Sequence, residues 1–382
     1  MKVKVSYSEL SSVLGYVNTI LSDKTVDDKM KNVIFLAEKD ELTVVGYSTL
    51  TFARTRLNDV ETEEVEDKWD FQVKSSELNK IIASFNSLYK TKVDYIEFEK
   101  KPSDNKIKVI VHEEAIEEAD SRLSQTSRFS LDNVPIMDSV NKEIHMKFPE
   151  ESDNISSEGL LLYINSLFPL MSNDSNSSLV SKLHFSEDYI FVTTSYISSF
   201  FANKLPDSFK GLTLGYSSVS FLKKLCEGEE SLDVQRVDKY LCIQSGMTEA
   251  FLKYQNVKVR HEPYIKRMST DNGIILDRLY LKDVLKRMMV SSPDGVAQMT
   301  ELGLEVSNSG FTQVIPVNDK KGDVDNLRFK ISVPVLVKTI IGVDSFFPGE
   351  LCLYFIKTGP TGYMLYVMDR TNSWFSTIQI RV

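Results

Sequence analysis

Along the chain, short runs of alternating apolar and polar residues lead into stretches whose apolar residues return every three or four positions. The first pattern is that of a half-buried strand, the second that of an amphipathic helix. "MKVKVSYSELSSVLGYV" (1–17) shows them in succession, and "WDFQVKSSELNKIIASF" (69–85) shows them again. Shifted by 68 positions, Val3, Val5, Ser8, Glu9, Leu10, Val13 and Leu14 overlay Phe71, Val73, Ser76, Glu77, Leu78, Ile81 and Ile82. Ser8 and Ser76 stand where an N-cap hydroxyl accepts a bond from a helix-start N–H.

The unit recurs. "LTLGYSSVSFLKKL" (212–225) keeps the alternation and places Ser217 and Ser218 before a helix. "GIILDRLYLKDVLKRMM" (273–289) keeps Ile274, Leu276, Leu281, Val284 and Leu285 at the same offsets. "FKISVPVLVKTII" (329–341) carries Pro334 near its helix start, where the missing N–H is harmless. A weaker copy begins with a strand at "EIHMKF" (143–148), and a polar stretch separates it from the helical "LLLYINSLF" (160–168). The starts fall near positions 1, 69, 142, 210, 272 and 327. Between them lie strand-like runs such as "NVIFLAEKDELTVVGY" (32–47), "LDVQRVDKYLCIQS" (232–245) and "GYMLYVMD" (362–369), parted by turn residues. The acidic stretches "DVETEEVED" (59–67) and "HEEAIEEADS" (112–121) read as solvated loops between elements.

Self-similarity of this kind decides the architecture. It predicts an α+β chain of units of roughly 65 residues, each with one helix and about three or four antiparallel strands that bury its apolar face. Two units make a compact domain, so three similar domains are expected at 1–139, 140–268 and 269–382.

Composition narrows the function. A net charge of −9 argues against tight, sequence-independent nucleic-acid binding, which needs a basic excess, but leaves room for a local basic surface. No apolar run reaches the roughly 18 residues of a membrane span, and the opening Val-Lys-Val alternation is unlike a signal or transit peptide. A cytoplasmic location is expected. Cys226, Cys242 and Cys352 are scattered without a C-x-x-C pair, as buried free thiols in a reducing compartment would be. The four histidines lack zinc spacing; His112 and His261 each precede a Glu with no second His at i+4. Phosphate-loop, dinucleotide and nucleophile-elbow motifs are missing. The reading is of a non-enzyme with no cofactor, metal or catalytic residue.

Six such units in three domains resemble the layout of bacterial DNA polymerase III beta-type sliding clamps, DNA polymerase processivity factors. "MKVKVSYSELSSVL" (1–14) is similar to that family's first strand and helix. "SRFSLDNVPIMDSV" (127–140) resembles the segment closing its first domain, "HEPYIKRM" (261–268) the end of its second, and "STIQIRV" (376–382) its terminal strand. The resemblance spans the whole chain. Where the family usually has Asp-Gly-His-Arg this chain reads "TTSYISSFF" (193–201), and Gln379 replaces a proline. The divergence looks like that of a phage-encoded or otherwise distant clamp.

The resemblance implies a DNA-clamp fold, a head-to-tail homodimer closing a ring around duplex DNA, and no sequence-specific contact. It also implies that DNA polymerase and the clamp loader bind through short extended peptides. A ring holds DNA by topology, so a large counterion-release affinity is unnecessary. Weak positive potential inside would suffice, and Arg278, Lys282 and Lys286 lie at i, i+4 and i+8 of one predicted helix. Lys80, Lys223, Lys224 and Lys338 sit on the equivalent helices, and Lys24 follows the first, which itself has no cation. By family position the partner-peptide pocket would comprise Val180, Thr194, Tyr196, Ile197, Pro263, Arg267, Met268, Ile378, Ile380 and Val382. Phe129, Met289 and Val290 match dimer-interface positions. Two rivals stay open at this level: a β-rich repeat structural or virion protein, and an enzyme whose site carries no motif.

Overall fold

The computed structural model describes residues 1–21, 31–65, 68–85, 91–100, 105–116, 125–172, 181–195, 197–257, 259, 261–341, 349–358, 362–369 and 374–381. Its helices are α1 (Tyr7–Leu21), α2 (Ser75–Ser84), α3 (Asp138–Ile144), α4 (Ser157–Leu167), α5 (Tyr216–Gly228), α6 (Glu262–Lys266), α7 (Arg278–Ser291) and α8 (Val333–Ile341). All but α3 and α6 directly follow a short leading strand: Lys2–Ser6, Trp69–Lys74, Asp153–Ser156, Leu212–Leu214, Gly273–Asp277 and Arg328–Ser332. Three or four further strands follow each of these helices, as the repeat predicts. No helix among the described residues is long and apolar enough to cross a membrane.

Three local expectations are corrected. The third copy does not begin at "EIHMKF": Glu143 and Ile144 end α3, and the leading strand is the short polar Asp153–Ser156. Ser8, Ser76, Ser217 and Ser218 lie inside their helices, whereas Asp277 is a true cap, its carboxylate accepting the Tyr280 N–H at 2.7 Å. The acidic stretch at 60–63 is an edge strand, Val60–Glu63, antiparallel to Lys2–Val5. Its glutamates pair with the lysines opposite, Glu61 with Lys4 at 3.1 Å and Glu63 with Lys2 at 3.6 Å.

Within each successive pair of copies the leading strands are exchanged. Lys2–Ser6 pairs with Thr91–Glu99 of the second copy, while Trp69–Lys74 pairs with Asn32–Glu38 of the first. Asp153–Ser156 likewise joins Ser231–Val237, and Leu212–Leu214 joins Leu183–Phe185. Gly273–Asp277 joins Glu350–Lys357, and Arg328–Ser332 joins Asp294–Thr300.

The third strand after each helix, here called trailing, ends a copy's ladder. Two couples of trailing strands are sewn together: Thr51–Leu57 with Thr248–Lys253, and Ile197–Ala202 with Trp374–Arg381. These seams complete an eight-stranded sheet and a nine-stranded sheet. The other two trailing strands, Gln125–Asp132 and Phe311–Ile315, stand at the edges of a five-stranded and a four-stranded sheet. Close contacts divide the chain into two compact units, 1–157 with 220–254, and 158–219 with 255–382.

In the first unit, Asn32–Glu38 shows how one strand serves two cores, its side chains alternating in direction. Val33, Phe35 and Ala37 join α1 and α2 in the larger cluster, while Ile34 and Leu36 join Val140 and Ile144 of α3 on the opposite face. Helix α1 sits so close to strand Glu41–Tyr47 that a Cβ on Gly46 would lie 3.0 Å from Val17 Cγ1. At this unit's seam, opposite residues match in kind. Phe52 stacks on Phe251 with centroids 4.4 Å apart, Arg54 Nε donates to Glu249 at 2.6 Å, and the Thr55 and Thr248 hydroxyls are 2.9 Å apart. Such pairs contribute roughly 0.2–1 kcal/mol each. In the second unit Phe200 stacks on Phe375 at 4.7 Å, and the indole N–H of Trp374 donates to Ser199 Oγ at 3.0 Å.

Helix α3 is fastened over the first seam by polar bonds. Arg54 donates to the Ile144 carbonyl at 3.1 Å, and Glu143 accepts from the Tyr47 hydroxyl at 2.7 Å and pairs with Lys253 at 3.1 Å. Burial pushes the Glu143 carboxyl up, but the hydroxyls of Tyr47 and Tyr240 and the Lys253 ammonium outweigh it, leaving the pKa below its ordinary 4.5. A carboxylate with a depressed folded pKa stabilises fully above its unfolded value, and that contribution is lost as pH falls through the folded one. Glu143→Gln is therefore expected to cost about 1–3 kcal/mol at neutral pH. In denaturant melts, the gap from wild type should close as pH drops below about 4.5. A gap that is constant with pH would mean that the ionised carboxylate is not what fastens α3.

Candidate partner-binding cavity and basic helix faces

In the second unit, strand ends and the start of a helix enclose a cavity of about 760 Å³. Ile378 and Ile380 project from the same side of the terminal strand, and Tyr363 lies opposite Ile380 in the neighbouring strand. Met364, Ile331 and Val335 of α8 complete the apolar lining. The polar part comes from Arg267 just after α6, Asp294, Lys330, Ser332 and Thr358. An apolar hollow with a few polar groups in its lining can strip water from one or two bulky side chains while leaving the rest of a ligand solvated.

Of the residues expected to form a pocket, Arg267, Ile378 and Ile380 line this cavity. Ile197 is buried opposite Ile378 across the seam, and Thr194 closes the preceding turn, its hydroxyl donating to the Ile197 carbonyl at 3.1 Å. Met268 packs half-buried against the cluster of Phe191, Phe200 and Phe375, and Pro263 is exposed in α6. Val180, Tyr196 and Val382 lie outside the described residues. Tyr363, Met364, Lys330 and Val335 were not anticipated. Their runs carry strand or helix signals, but nothing local marks where a strand end meets another element.

The helices of the repeats carry the expected cations unevenly. Lys80 of α2, Lys224 of α5, Lys286 of α7 and Lys338 of α8 are exposed. Lys223 pairs with Glu227 at 3.9 Å, and Lys282 is half-buried. Arg278 departs from the predicted basic stripe: it is only 3 % exposed. Position 278 precedes Leu281 and Leu285 by three and seven residues, which puts it on the buried stripe rather than beside it. Arg287, not foreseen, is exposed on the same helix. Lys24 lies outside the described residues. Helix α1, which has no cation, meets α2 through paired amides, each of Asn18 and Asn79 donating to the other at 3.0 and 2.8 Å. No group of three metal-ligating side chains occurs among the described residues.

Phe129 lies half-buried on the edge strand Gln125–Asp132, its ring edge-on to Phe85 at 6.1 Å. Met289 and Val290 end α7 at 44 % and 89 % exposure. Strand Phe311–Ile315 runs beside that helix, Gln313 donating to the Tyr280 hydroxyl at 2.8 Å.

No family model and no curated protein matches the chain. Solved structures do. The DNA polymerase sliding clamp from Caulobacter crescentus superposes with a TM-score of 0.78 at 14 % identity, covering 100 % of both chains. DNA polymerase III subunit beta from Borrelia burgdorferi gives 0.77 at 14 %, covering 100 % of this chain and 98 % of that one. The sliding clamp from Bacillus subtilis gives 0.77 at 11 %, covering 100 % and 99 %. From end to end, the chain has the fold of the bacterial β sliding clamps.

Proposed function

We propose that the protein is a sliding clamp: two copies close head to tail around duplex DNA in the cytoplasm and tether the replicative DNA polymerase. It has no reaction of its own to catalyse. The observation that carries this reading is the pair of unmatched trailing strands. Four of six trailing strands are joined in two seams, one member from an odd-numbered copy and the other from an even-numbered copy. Gln125–Asp132 ends the second copy and Phe311–Ile315 the fifth, so they are of opposite type, as a third seam requires. A heterologous contact between two such edges closes into a ring when the rotation allows. The exposed Met289 and Val290, with Phe129, supply apolar surface for that joint. Six exchanged-strand pairs around such a dimer correspond to three domains per chain, divided near 139 and 268.

The basic side chains Lys80, Lys223, Lys224, Lys282, Lys286 and Lys338 would face the duplex, and the cavity around Ile378 and Ile380 would take the peptides of polymerase and loader. Two or three apolar anchors at about 1.5–3 kcal/mol each, less the cost of association, give roughly micromolar binding, suited to exchange.

Three outcomes are expected. Protein loaded onto nicked circular DNA should be released when the circle is cut; retention on the linear product would mean an ordinary binding site. Val290→Asp combined with Phe129→Asp should shift sedimentation from dimer to monomer with the circular dichroism spectrum unchanged; a persistent dimer would place the joint elsewhere. Lys282→Glu with Lys286→Glu should lower duplex affinity at low salt by about tenfold and flatten its salt dependence. Unchanged affinity would remove α7 from the duplex-facing surface.

A further inference from the structure

The two seams within the chain share one register, and the two free edges can be indexed on it. Val3, Asp153 and Ile274 stand four residues before the starts of α1, α4 and α7. From Val3 the strand pairings lead across the sheet through Phe98 and Val109 to Phe129. From Asp153 they lead through Val234 and Ile243 to Ala250, and from Ile274 through Leu353 and Val367 to Ser376. Phe71, Leu212 and Phe329 stand likewise four residues before α2, α5 and α8. The same walk from them ends at Thr55, Phe201 and Gln313. Two residues before these lie Ala53, Ser199 and Phe311. In the seams Ala53 is directly opposite Ala250, and Ser199 directly opposite Ser376. The one position left on each free edge is aromatic, Phe311 and Phe129.

From this we infer that the joint between two copies repeats the internal register, with Phe311 of one copy directly opposite Phe129 of a second. This rests on the ring reading and adds to it a register and a contact residue, Phe311. Thr312, Gln313 and Val314 then oppose Arg128, Ser127 and Thr126. The faces agree: Gln313 bonds Tyr280 of α7, and Phe129 packs on the core that holds α1 and α2, so both belong to the helix side of their sheets. A slip of one residue would set that side against the other. A slip of two would keep the faces but place Gln313 or Ser309 opposite Phe129 and lose the ring pair. Both phenylalanines are half-buried in the single chain, with surface left for a partner. An aromatic cross-strand pair adds attraction beyond its buried area. The internal seams, already held by chain connectivity, have small residues at this position; the joint, which must offset the cost of association, has two rings.

The test uses the full-length protein, whose own cysteines are buried. Directly opposite residues of antiparallel strands lie about 4.5–5.5 Å apart at Cα, within disulfide reach, whereas diagonal neighbours at about 7–8 Å are beyond it. Thr312, Thr126, Arg128 and Ser130 are all exposed on the face away from the helices. Thr312→Cys with Arg128→Cys should form a covalent dimer on mild oxidation about tenfold faster than Thr312→Cys with Thr126→Cys or with Ser130→Cys. Phe311→Ala and Phe129→Ala should each raise the dimer's Kd about tenfold in sedimentation, and the double variant about twentyfold, because residues in contact are not additive. If a shifted cysteine pair links fastest, or the double variant reaches about a hundredfold, the register is wrong and the ring stands. If the protein stays monomeric and no pair links, the ring reading fails and the register with it.

Discussion

The constraint on which this structure turns is the free edge of a trailing strand. A strand that pairs on one side only presents a row of open N–H and C=O groups, which a folded protein must pair, cover or charge. Here two couples of edges are paired with each other, and opposite residues are matched: ring on ring, guanidinium on carboxylate, hydroxyl on hydroxyl. The match also specifies register. Slipping Thr51–Leu57 by one residue would turn Phe52 and Arg54 away from their partners and drive Arg54 toward the side that buries Leu57. Helix α3 then secures the first seam from one face, its Glu143 bonded to Tyr47 on one side of the joint and Lys253 on the other.

Much of this was legible in the chain before any coordinates, because the repeat writes its strand and its helix in two distinct periods. The starts at 1, 69, 210, 272 and 327 needed no tertiary information. The third did, and for a physical reason: Asp153–Ser156 is only four residues long and mostly exposed, so burial imposes no alternation on it. "EIHMKF" alternates instead because Ile144 points into a core while Glu143 reaches a polar cluster, a helix end imitating a strand. The acidic Val60–Glu63 looked like loop because charges seldom suit a strand, yet an edge position opposite lysines accommodates them.

The candidate sites were legible only where a single element defines them. Ile378 and Ile380 follow from the resemblance of "STIQIRV" (376–382) to the family's terminal strand. Lys330 and Tyr363 do not, since each becomes a cavity residue only through the other elements that gather around its strand. Arg278 shows the converse error: a spacing of four joins it to Lys282 and Lys286, but a spacing of three joins it equally to Leu281, and packing chose the latter. Helical periodicity near 3.6 leaves residues at the boundary of a face undecided until a neighbour is present.

The exchange of leading strands bears on how such a chain can change in length. A copy that lends its first strand to its neighbour and borrows one in return is not a self-contained module. Deleting one copy would leave its mate with a missing strand and a surplus one, two defects at once. Repeat proteins in which each module contacts only its neighbours can gain or lose modules singly. This architecture cannot, and its viable steps in evolution are whole pairs.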